Sequence, residues 1–126
     1  SQLKKIKIKI KIKNNDNFDT LILYPNNLIY IQQFSFDVIR FLDSNLEDLY
    51  KAKEETCNYV FFKSNEEIKI MKINNMSYDL LKLCSGDSLK SIIKNLKTIY
   101  KDVMTKEIIS AVNNFIDCNI LYLEKI

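Results

Sequence analysis

The sequence predicts an α+β fold in which short antiparallel strands accompany three amphipathic helices. Two pairs of strand-like runs are joined by polar turns. Three stretches of the second half carry apolar residues at helical spacing behind capping residues. Glycine and proline occur once each in 126 residues, too few for a turn-dense β-sandwich. With 47% hydrophobic and 28% charged residues, the chain supports a packed core rather than disorder. Its length fits one domain, or one domain plus an appendage.

The first element is a basic arm. From Lys5 to Lys13, lysine and isoleucine alternate strictly, which places Ile6, Ile8, Ile10 and Ile12 on one face of a strand and the lysines on the other. The lysine face suits an anionic partner, and it equally suits a solvated strand protected against edge aggregation. Asn14–Asp19 is a polar turn. Leu21–Tyr24 and Leu28–Ile31 read as strands joined at Pro25-Asn26-Asn27, a hairpin turn. A helical pattern begins at about Phe34, with Val38, Phe41 and Leu42 in phase and Leu46, Leu49 and Tyr50 extending it.

Tyr59–Phe62 and Ile68–Ile73 form a second strand–turn–strand unit around Ser64-Asn65-Glu66. A helix follows at Met76–Cys84, with Asn75 or Ser77 as its cap. Ser85-Gly86-Asp87 stops it, the single glycine standing where a left-handed residue is useful. Ser88 caps the next helix, whose stripe is Leu89, Ile92, Ile93, Leu96, Tyr100 and Val103. Thr105 caps the last helix, with Ile108, Ile109, Val112, Phe115 and Ile116 on one face. Asn119 ends it in the left-handed conformation that asparagine tolerates, and Ile120–Leu123 is a short terminal strand. A faint repeat aligns residues 31–42 with residues 73–84, with Ser35/Ser77 and Asp37/Asp79 identical. It is compatible with two diverged strand–strand–helix copies, or with coincidence in a biased composition.

Few chemistries are open to this composition. Histidine is absent, which excludes His general bases and His-ligated metals. No glycine-rich phosphate loop and no nucleophile–base pair is present. Cys57, Cys84 and Cys118 are too widely spaced for a zinc or iron–sulfur clamp and read as small buried hydrophobes. Asp43, Glu47, Asp48, Glu54 and Glu55 cluster on the first helical stretch and read as a solvated face. The expectation is a non-enzyme with no catalytic residue, no metal and no cofactor. Six lysines and no acid fall in residues 1–13, while the whole chain carries +3, so a basic arm precedes a mildly acidic body. No apolar run has the length of a membrane span and the N-terminus lacks the apolar core of a signal peptide. A cytoplasmic protein without membrane partners is expected.

The second half carries a resemblance. Asn74 closes a hairpin, Leu83-Cys84-Ser85-Gly86 closes the helix after it, and Ser88-Leu89-x-x-Ile92 opens the next. Phe115-Ile116-x-x-Asn119-Ile120-Leu121 closes the third helix. This succession resembles the PqqD-like family, the recognition elements for ribosomally made, post-translationally modified peptides. Ser85 replaces the family's usual aspartate and Asn119 its glycine. The likeness covers residues 58–126. Residues 1–57 are a β-rich N-terminal extension that supplies the family's first strand, a decayed second copy or a contact surface for a partner enzyme.

The resemblance implies a small antiparallel sheet beside a three-helix, winged-helix-like bundle. It implies that the chain holds the leader of a precursor peptide as an added strand and presents it to a modifying enzyme, such as a radical-SAM or other peptide-tailoring enzyme. The edge it implies is Ile68, Lys69, Ile70, Met71, Lys72 and Ile73, and the groove wall is Ile108, Ile109, Val112 and Phe115. Each apolar member reads equally well as ordinary core. The rival readings are a winged-helix DNA-binding regulator and a structural adaptor. The helix Thr105–Asp117 has one lysine against Glu107 and Asp117, a poor charge for reading DNA, so no nucleic-acid partner is expected. Lys90, Lys94, Lys97 and Lys101 form a stripe on the preceding helix.

Overall fold

The computed structural model describes residues 7–8, 11–26, 28–37 and 56–126. In chain order the strands are β1 (Lys7–Ile8), β2 (Leu21–Pro25), β3 (Tyr30–Phe34), β4 (Cys57–Ser64), β5 (Glu67–Ile73), β6 (Asp87–Ser88) and β7 (Leu121–Lys125). The α-helices among the described residues are α1 (Asn75–Leu83), α2 (Leu89–Ile99) and α3 (Thr105–Asp117), and a short 3-10 helix, Phe18–Thr20, leads into β2. The expected α+β class is what the chain adopts. The strands form two antiparallel sheets, one in the order β1-β7-β2-β6 and one in the order β3-β4-β5.

Both sheets and all three helices face one core. Leu21 and Leu23 of β2 lie on the same face as Leu121 and Leu123 of β7, with Leu23 directly opposite Leu123. They pack with Val60 and Phe62 of β4, Leu80 and Leu81 of α1, Leu89, Ile92 and Leu96 of α2, and Ile108, Val112 and Phe115 of α3. A Leu or Ile side chain sealed in this way stabilises the fold by about 1.5–3 kcal/mol. The boundary expected at 57/58 is therefore crossed by both sheets. β2 sits between β7 and β6, and β3 pairs along β4, so residues of the supposed extension complete the same core.

The hairpin expected over residues 21–31 does not form. β2 and β3 do not pair with each other. Asn26 turns the chain from one sheet to the other: its N–H donates to the Ile120 carbonyl (2.9 Å), and its side-chain amide donates to the Asn119 carbonyl (2.9 Å). Those two carbonyls lie just beyond α3. The link is thus a crossover pinned to the end of that helix, not a hairpin. Asn27 lies outside the described residues, as do Lys5, Ile6, Lys9 and Ile10 of the arm and residues 38–55. These last hold most of the helical pattern expected from Phe34, the acidic cluster and the end of the repeat's first copy, residues 38–42. Phe34 itself ends β3, whereas its repeat counterpart Met76 is already inside α1.

The caps follow from local chemistry, with two shifts. Asn74, not Asn75 or Ser77, caps α1, its side chain accepting from the Ser77 N–H at 2.7 Å. Ser88 caps α2 as expected, accepting from the Ser91 N–H at 3.2 Å, while its backbone pairs with Ile22. Met104 occupies the cap position of α3 and offers no side-chain bond, so Thr105 is the first helical residue. Asn119, at φ 61°, closes α3. Its N–H donates to Ile116 and the Ile120 N–H to Phe115, the paired bonds of a Schellman motif. Gly86 has φ 97°, and a Cβ there would stand 3.1 Å from the Tyr24 ring. Any side chain at this position meets both obstacles.

Candidate functional site

β4 and β5 meet through Asn65 and Glu66, both at positive φ (50° and 69°), the backbone of a type I′ turn. A two-residue turn closes on a hydrogen-bonded pair. Ser64–Glu67, Phe62–Lys69 and Val60–Met71 therefore face each other across main-chain bonds, and the amides of Ile68 and Ile70 point away from β4. No strand among the described residues covers that side of β5. β5 is an edge.

Beside this edge lies a groove of about 670 Å³. Met71, Lys72 and Ile73 form the β5 wall, Asn74, Met76 and Ser77 the end wall from the first turn of α1, and Lys106, Glu107, Ser110, Ala111, Asn114 and Phe115 the α3 wall. The α3 wall is apolar low down, at Ala111 and Phe115, and polar at its rim.

The structure separates the ten residues expected at the site. Met71 and Ile73 lie on the helix-facing side of the sheet, pack against the core and line the groove. Lys69 is exposed on that side but does not line the groove. Ile68 and Ile70 project from the opposite face, Ile68 being 81% exposed near the hairpin turn. Lys72 lines the groove and pairs with Asp37 at 3.0 Å, and Asp37 also accepts from the Tyr59 hydroxyl at 2.8 Å. Of the four α3 residues, Ile108 and Val112 are wholly buried and Ile109 is 4% exposed. They pack inward and do not line the groove. Phe115 is 3% exposed and reaches the groove floor.

The groove's α3 wall thus lies one step around the helix from the expected one. Residues bordering the apolar stripe face the cleft, because the stripe itself is consumed by the core. Its small residues, Ser110 and Ala111 between larger neighbours, were the signal available in the sequence: a short side chain leaves room beside a strand.

The groove runs past Asn74 and Met76 into a hollow of about 370 Å³ beside Tyr100. The Tyr100 hydroxyl donates to Asp79. Desolvation and that carboxylate push it up to about 12. The Cys84 thiol is likewise pushed up to about 12, by burial and then by the Asp87 charge. Both groups hold their protons through the neutral range. Among the described residues, no three Cys, Asp or Glu side chains are grouped to hold a metal ion, and no helix is long and apolar enough to cross a membrane.

No protein-family model, curated protein or solved structure matches this chain.

Proposed function

We propose that the chain is a non-catalytic recognition domain that binds the leader of a ribosomally synthesised precursor peptide and presents it to a modifying enzyme. The observation that carries this reading is the pairing of an open strand edge with a groove: β5 turns the Ile68 and Ile70 amides outward, and the cleft between β5 and α3 opens farther along the same strand, at Met71, Lys72 and Ile73. An extended peptide added to such an edge gains register and affinity from main-chain bonds, and specificity from side chains set in the adjoining cleft. The order of elements supports the reading. A three-stranded antiparallel sheet is followed by three helices, with the short β6 between the first two. That arrangement is compatible with the winged-helix-like bundle of PqqD-like domains. Binding of this kind raises the effective concentration of the peptide's core at the enzyme without any chemistry of its own.

The test is amide chemical-shift mapping of the full chain against leader segments of short reading frames encoded beside its gene. The expected result is saturable shifts at Ile68, Ile70, Ser110 and Asn114 that persist at high salt. Tight binding with those four positions silent overturns the site. Steeply salt-dependent binding of duplex DNA in place of peptide favours a DNA-binding regulator.

A further inference from the structure

We propose that a basic compartment beside the groove, lined by Lys11, Lys13 and Lys106, receives an acidic segment of the bound peptide. This rests on the reading of the chain as a leader-binding domain and adds the charge the leader carries: Asp or Glu residues next to its strand-forming stretch.

Three observations converge. First, a cleft of about 460 Å³ lies between the N-terminal arm and the outer face of α3. Lys106, Ser110 and Asn114 line both this cleft and the groove beside β5, so a chain leaving the groove across α3 enters it. Second, the arm is held in place there. Ile12 is buried, and the Asn113 side chain bonds its main chain twice, accepting from the N–H at 2.9 Å and donating to the carbonyl at 3.1 Å. Lys11 and Lys13 flank that anchor, so the backbone from which their ammonium groups extend is fixed. Third, Lys11, Lys13 and Lys106 are exposed, and none forms an ion pair among the described residues.

The chemistry selects a carboxylate-bearing peptide. Three ammonium groups around one cleft attract negative charge, and the Asn14 and Asn114 amides and the Ser110 hydroxyl add neutral donors around the same cleft. Asp117 also lines the cleft. Its carboxylate opposes the dense charge of a phosphate backbone more than it opposes spaced acidic side chains that can direct themselves to the lysines. Residues 1–13 hold six lysines and no acid, a charge that favours encounter with an acidic ligand.

The test uses the full chain and hexaglutamate, a probe that needs no strand edge. In about 20 mM salt, where exposed charges are weakly screened, the amides of Lys11, Lys13, Lys106, Ser110 and Asn114 are expected to shift saturably while Ile68 and Ile70 stay still. The triple variant Lys11→Gln, Lys13→Gln, Lys106→Gln is expected to bind about tenfold more weakly with an unchanged melting temperature. A control on the α2 stripe, Lys94→Gln, Lys97→Gln, Lys101→Gln, is expected to bind as the parent does. Silence at the named amides overturns the proposal. So does an equal loss in both variants, which signals attraction to net charge alone. A short DNA duplex that shifts the same amides at lower concentration overturns it in favour of a nucleic-acid site. Failure of the leader reading appears separately, as silence of Ile68 and Ile70 toward leader segments.

Discussion

Asn113 and Ile12 are joined by two hydrogen bonds across 101 residues of chain. The carboxamide of Asn113 treats the main chain of Ile12 as a strand neighbour would, accepting from its N–H and donating to its carbonyl. A basic arm is thereby fixed to α3 at a point where no strand among the described residues reaches it. Removing the clamp leaves a part-buried donor and acceptor unpaired, which costs about 1–3 kcal/mol. Asn113→Ala is expected to lower stability by that order and to speed tryptic cleavage after Lys11 and Lys13. Asn113→Asp keeps the acceptor but sets a carboxylate oxygen against the Ile12 carbonyl, and is expected to lose at least as much. An unchanged cleavage rate in Asn113→Ala would show that the arm is held by other contacts.

The register of β4 and β5 makes proline substitution directional. The Lys69 amide faces β4 and the Ile70 amide faces away. Lys69→Pro removes a ladder donor inside the hairpin and is expected to destabilise the protein clearly in a urea melt. Ile70→Pro removes only an outward donor. It is expected to cost far less stability while abolishing leader binding. Equal destabilisation by the two changes contradicts this register.

Glu66 holds φ 69° at the second position of the hairpin turn, a conformation that glycine adopts without steric cost and glutamate does not. Glu66→Gly is expected to raise stability by about 1 kcal/mol, measured as a higher denaturation midpoint with an unchanged slope. A lower midpoint would mean that the Glu66 side chain stabilises more than its backbone strains.

Tyr100 links α2 to Asp79 of α1, and its hydroxyl is pushed from about 10 up to about 12. The folded state therefore holds this proton more tightly than the unfolded state does. The associated stability is complete below pH 10 and is lost as the pH rises from 10 through 12. Stability measured across that window is expected to fall in the parent and to fall less in Tyr100→Phe. Parallel curves would assign the loss to other groups.

Cys57 and Cys84 are buried, while Cys118 is half-buried at the C-cap of α3. The thiolate is the reactive form, and Cys84 holds its proton up to about pH 12. With a thiol-specific reagent at neutral pH, Cys118 is expected to react first in the native chain, and the other two only on unfolding. Mass mapping of the labelled peptide checks the order, and early labelling of Cys84 would contradict the packing around it.

Much of the candidate site was legible, though not its wall. The apolar runs Tyr59–Phe62 and Ile68–Ile73 and the polar turn between them identify the β5 hairpin, because these signals act between residues near in sequence. The apolar stripe on α3 was equally clear, but a stripe does not reveal what it meets. Ile108, Ile109 and Val112 turn inward to the core, and the cleft falls to Lys106, Ser110, Ala111 and Asn114 beside them. Asn113 was visible only as one polar residue on a helix. Its partner lies at the other end of the chain, with no local pattern to announce it.

The sequence by itself determined the elements whose causes are local: the Ser88 cap, the left-handed turn at Asn119, the α2 stripe from Leu89 to Leu96, and the inward Ile12 between outward Lys11 and Lys13. The tertiary structure decided the partners. β2 reads as half of a hairpin with β3, yet it pairs with β7, some 100 residues onward, and with β6. The physical reason is that a strand's alternation fixes which face is apolar but not which edge it joins. The edge is chosen where Leu21 and Leu23 can be sealed against Leu121, Leu123 and the helices, and that choice exists only once the whole core assembles.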